Sequence, residues 1–107
     1  MVIAFGYKRI KLTEEADRRT LLDLGRLDPE EGESEDDVAA LRGALERGYA
    51  GEVAELVLSD GEARTLNGRL LHRLNLGGQA PSPAFADLRK GLQAYVAELD
   101  YRDQAGR

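Results

Sequence analysis

Two sets of side chains in this sequence have the types and spacing to do chemistry. The first is acidic: Asp28, Glu30, Glu31, Glu33, Glu35, Asp36 and Asp37 place seven carboxylates in ten positions, with no base among them. The second is cationic: Arg64, Arg69, His72 and Arg73 stand close together, and Arg89 and Lys90 follow further on. Carboxylates at this density can hold calcium, move protons or meet a positive surface, while arginines can grip phosphate.

Most of these uses fail on spacing. A calcium loop of the EF-hand kind wants Gly at its sixth position and Glu at its twelfth. Counted from Asp28, Gly32 arrives one place early and Ala39 stands where the Glu should be. His72 is the only histidine, the chain has no cysteine, and Leu76 occupies the position four residues on, so no metal pair forms there. No thiol nucleophile is available, and no Gly-rich phosphate loop follows a strand. Carboxylates crowded into an exposed run lack the burial that tunes an acid or base for catalysis. The sequence therefore reads as a non-enzyme with no cofactor and no metal.

Contact remains. Asp28, Glu30, Glu31, Glu33, Glu35, Asp36 and Asp37 could present a dense negative surface to a basic partner, raising its rate of encounter. The plainer alternative is a solvated linker whose last acids serve a helix N-terminus. The rival function uses Arg64, Arg69, Arg73, Arg89 and Lys90 as phosphate contacts on a helix–loop–helix over 60–100. A net charge of −5 weighs against nucleic acid, as does a loop from Gly77 to Ser82 longer than a helix-turn-helix allows. The favoured reading is a small regulator, adaptor or inhibitor acting through protein–protein contacts.

Elements must position these groups, and 107 residues suffice for one domain, 1–107, with one core. A composition of 42% hydrophobic and 33% charged residues is that of a globular chain. Charge is banded: residues 1–27 net +2, residues 28–60 net −9 and residues 61–107 net +2. No apolar run reaches the ~18 residues that span a bilayer. Lys8, Arg9 and Lys11 follow the first apolar stretch instead of preceding it, which is not the order of a signal peptide. A cytoplasmic location without membrane attachment is expected, and the lack of cysteine agrees with a reducing compartment.

Ile3, Phe5 and Tyr7 alternate as in a strand over 1–12, but Ile10 and Leu12 fall out of phase, implying a bulge or break near Lys8-Arg9. Such a strand needs a partner: a second copy meeting it at Ile3, Phe5 and Tyr7 in a homodimer, another protein's sheet edge, or an internal strand at 53–58. Thr13 stands where an N-cap would open a helix over 14–27, with Glu14/Arg18 and Glu15/Arg19 as pairs and Pro29 as its stop. Ser34 and Asp37 open a second helix over 35–47, the acidic loop of 28–37 running into it.

Ser59 and Glu62 form a capping-box pattern ahead of Ala63, Leu66, Leu70 and Leu74. Asp60-Gly61 and Asn67-Gly68 instead suggest an antiparallel meander of 53–58, 62–66 and 69–74. The Leu, Ala and Arg content favours helix. A loop follows over 77–83, and Ser82 and Pro83 open the last helix, 83–100, whose apolar face runs from Phe85 to Leu99. Residues 102–107 are expected to fray. Gly25 and Gly91, each four residues from an apolar side chain, suggest close helix packing. The fold class expected is mainly α, a bundle of four to five helices with an N-terminal β-strand; the alternative is α+β with a small meander at 53–74.

Overall fold

The computed structural model describes residues 1–74 and 82–105, so positions 77–81 of the loop expected over 77–83 and the last two residues lie outside the described part. Seven elements follow in order: β1 (Val2–Phe5), β2 (Lys8–Lys11), α1 (Glu15–Gly25), α2 (Glu35–Tyr49), β3 (Glu55–Val57), α3 (Asp60–His72) and α4 (Pro83–Ala105). The chain is mostly helical, with four helices and one three-stranded sheet among the described residues.

The single N-terminal strand of the sequence reading is in fact a hairpin. Val2 pairs with Lys11 and Phe5 with Lys8, antiparallel, leaving Gly6-Tyr7 as a two-residue turn. Gly6 has φ +55° and Tyr7 has no positive φ, the pattern of a type II′ turn. A two-residue turn reverses the parity of facing positions, so Ile3 meets Ile10. That reversal, and no bulge, is the cause of the phase shift.

β3 lies on the other side of β1 and runs parallel to it, with Ile3 opposite Leu56, giving the order β2-β1-β3. The internal partner at 53–58 therefore exists, and a fifth helix there does not. β1 is central, and both of its backbone edges are used within the chain. The remaining strands of the meander are absent because 60–72 is helix: Ser59 accepts from the Glu62 N–H while the Glu62 side chain accepts from the Ser59 N–H. This reciprocal cap satisfies two orphan donors and fixes the start of α3.

Two smaller expectations are corrected. Glu14, not Thr13, is the N-cap of α1, and it makes no side-chain cap bond. Arg18 pairs with Glu15 at 2.7 Å and Arg19 with Asp23 at 3.4 Å, in place of the pairings read from the sequence. α4 also runs on to Ala105, past the expected fraying point. Its last turns are held by Arg64, which bonds Asp100 and Asp103, and by Arg102 on Glu98.

One apolar core joins every layer. Ile3, Phe5 and Leu56 project from the sheet onto Leu21, Leu41, Leu66, Leu88 and Leu92 of the four helices, all fully or almost fully buried. Each such side chain contributes about 1.5–3 kcal/mol relative to exposure. Close approach is bought with glycine: a Cβ on Gly25 would lie 2.6 Å from Leu45 Cδ1, and one on Gly91 3.2 Å from Phe5 Cζ. The outer face of the sheet carries Ala4, Arg9, Lys11, Glu55 and Val57, with Arg9 bonded to Glu55 at 2.8 Å.

Candidate functional site

The acidic segment divides between the α1–α2 connection and the first turn of α2. Ser34 is the N-cap of α2 and accepts from the Asp37 N–H at 3.3 Å. Glu35, Asp36 and Asp37 therefore occupy the turn where the helix dipole favours negative charge. Upstream, the loop closes on itself: the Glu33 N–H donates to Glu30 O at 3.0 Å, and the Glu30 N–H donates to Glu33 Oε1 at 2.9 Å. Gly32, at φ +91°, supplies the left-handed residue of this turn.

The two candidate sites of the sequence meet each other here. Arg69, on α3, forks onto Glu33 with Nε 3.0 Å from Oε2 and Nη2 3.1 Å from Oε1, while its Nη1 donates to Leu24 O. The Arg69 side chain is 0% exposed and that of Glu33 17%. One turn later Arg73 pairs with Glu30 at 3.2 Å and donates to Asp28 O at 2.7 Å. Arg42, from α2, donates to Arg26 O. α1 has no basic residue in its own last turn, so its orphan carbonyls are served by arginines from α2 and α3.

Electrostatics follow the geometry. The Arg69 hydrogen bonds hold the Glu33 carboxyl below its ordinary value, against the opposing effect of burial, with the Glu30 N–H and the Arg73 charge assisting. A carboxyl shifted in this direction stays ionised at neutral pH and becomes a weaker base, whereas acid–base work favours a pKa moved up toward the working pH. Between the loop and α3 lies a cleft of about 380 Å³, bordered by Glu31 and Asp37 on one side and by Arg64, Thr65 and His72 on the other. No group of His, Asp or Glu among the described residues could hold a metal ion.

The sequence-predicted residues separate accordingly. Glu30 and Glu33 are consumed by internal arginines. Glu31, Glu35 and Asp36 are exposed and make no ion pair among the described residues; Asp28 enters the network through its carbonyl. The five cations of the phosphate reading do not form one face. Arg69 and Arg73 turn to the acidic loop and Arg64 to α4, while Arg89 and Lys90 make no ion pair among the described residues. Ile3 and Phe5 are buried in the core, and only Tyr7, 98% exposed at the hairpin tip, is open to a partner.

Sequence reasoning missed Arg42 and the pairing between the two charge clusters. The available signal was Arg69 itself, three residues after Leu66 and next to Leu70 on the apolar side of α3. No family model, curated protein or solved structure matches this chain. No helix among the described residues is long and apolar enough to cross a membrane.

Proposed function

We propose that this chain acts without catalysis, as a small regulator, adaptor or inhibitor that presents Glu31 and Glu35 to a basic surface on another protein. The observation that carries the reading is the sealed Arg69–Glu33 fork. Together with the Arg73–Glu30 pair it neutralises the inner acids and pins the loop, so the outer carboxylates start from a fixed backbone. Pre-organisation of this kind lowers the ordering cost of association, and unmatched negative charge accelerates encounter. The competing phosphate-binding reading loses support from the same contacts, since Arg64, Arg69 and Arg73 already have acidic partners.

The test separates the two. Wild-type protein is expected to pass through heparin at moderate salt and to capture a basic protein from its host. Glu31→Gln with Glu35→Gln should abolish that capture while leaving the circular dichroism spectrum unchanged. Retention on heparin that depends on Arg89 and Lys90 would overturn the proposal in favour of nucleic acid, and capture indifferent to both Gln changes would overturn it outright.

A further inference from the structure

The sheet has two outer edges, and they are not alike. On β2, exposed Lys8, Arg9 and Lys11 guard the edge with like charge, a known defence against pairing with another copy. On β3, Val57 is 74% exposed, and the edge carries neither Lys nor Pro. Val2 N–H donates to Ala54 O at 3.0 Å and Leu58 N–H donates to Ala4 O at 2.8 Å. In a parallel ladder of this register Leu56 faces β1, so the N–H and C=O of Glu55 and Val57 point outward. No described residue bonds them.

Beside this edge, α2 and β3 enclose a groove of about 290 Å³, whose helical wall includes Ala40, Gly43 and Arg47. Asp36 stands one turn before Ala40 on the same helix face, because positions 36, 40, 43 and 47 recur at helical spacing. Asp36 and Arg47 are both exposed and make no ion pair among the described residues. The order acid, Ala, Gly, base is its own complement when two such helices lie antiparallel: position 36 faces 47, and 40 faces 43.

We propose that two copies of this chain associate about a two-fold axis at the β3 edge, joining their sheets through β3 and setting the Asp36–Arg47 face of α2 against its image. Antiparallel pairing places Glu55 opposite the partner's Val57, and both residues exchange their outward backbone bonds. The guarded β2 edge prevents a head-to-tail contact, so the assembly closes at two subunits. In the single chain Arg47 folds back along its own helix, its Nη1 3.2 Å from where a Cβ on Gly43 would stand. On association it extends to the partner's Asp36. The proposal does not rest on the acidic-loop reading, whose test leaves Asp36 and β3 untouched.

Sedimentation equilibrium of the full chain over a range of concentrations decides the matter. The wild type should move from 11.7 kDa toward twice that mass. Asp36→Arg and Arg47→Asp should each weaken association about tenfold or more, because each two-fold contact then sets like charges together. The double reversal should restore it. Val57→Pro removes an outward N–H without touching the β1 ladder, and should leave a folded monomer by circular dichroism. A wild type that stays at 11.7 kDa throughout, or a dimer indifferent to Val57→Pro and to the single reversals, overturns the proposal.

Discussion

Replacing Glu33 by Gln tests the fork that organises the candidate site. The substitution keeps the size of the side chain but removes its charge, and the amide nitrogen that replaces one oxygen cannot accept from Arg69. The guanidinium, 0% exposed, then retains one neutral acceptor and the Leu24 carbonyl. Removing one member of a buried ion pair costs about 3–5 kcal/mol. With one acceptor kept, the lower end applies, about 3 kcal/mol, out of a total that for a chain this size is about 5–15 kcal/mol. In a thermal scan that corresponds to a fall of about 12 °C in Tm.

Urea unfolding followed by circular dichroism gives the same quantity at constant temperature. Adding Arg69→Met to Glu33→Gln should recover much of the loss, because an apolar side chain of similar length leaves no buried charge. Acid titration supplies an independent check. The folded pKa of Glu33 lies below its ordinary 4.5, so its contribution is complete above the unfolded value and disappears as pH falls through the folded one. Wild-type stability should therefore decline below about pH 4.5 more steeply than that of Glu33→Gln. A Glu33→Gln loss under about 1 kcal/mol, the worth of an exposed pair, would refute the claim that this fork is sealed from water.

Three further outcomes follow from local geometry. Gly68→Ala should stabilise the protein by about 0.5–1 kcal/mol in urea unfolding, since Gly68 sits inside α3 with nothing within 4 Å of an added Cβ. Gly6→Ala should cost about 2 kcal/mol by the same assay, because φ +55° disfavours a side chain and the new Cβ would meet Tyr95 Cε1 at 2.5 Å. Ultraviolet titration should show one tyrosine ionising above the ordinary 10.0: the Tyr95 hydroxyl donates to Asp60, which pushes its pKa up, and burial adds to the effect. Asp60→Asn should bring the Tyr95 pKa back down toward 10.0.

Local pattern carried the helices well and the sheet poorly. Capping residues and apolar spacing placed α2, α3 and α4 within a few residues, because Ser34, Ser59 and Ser82 each act over three positions along the chain. β3 was ambiguous, since three residues hold too little periodicity to separate strand from helix, and its partner lies about fifty residues away in β1. The Gly6-Tyr7 turn was readable in principle, as a glycine at the first central position joined to a parity reversal. The candidate site was half legible. Its acids and arginines were each conspicuous, but Glu33 and Arg69 stand 36 positions apart, and no local rule reports that they touch.

Arginine capping of α1 also sets an order of events in synthesis. Leu24 O and Asp28 O wait for donors that lie 45 residues downstream. A nascent chain can wind α1 and α2 as soon as they emerge, but the turn between them lacks its contacts to Arg69 and Arg73 until those residues have left the ribosome. Over that interval the carboxylate-rich bend is held only by its own turn bonds and by Arg42 on Arg26 O. It sets into its final shape only when α3 arrives, which makes an early-truncated translation product a poor imitation of the finished surface.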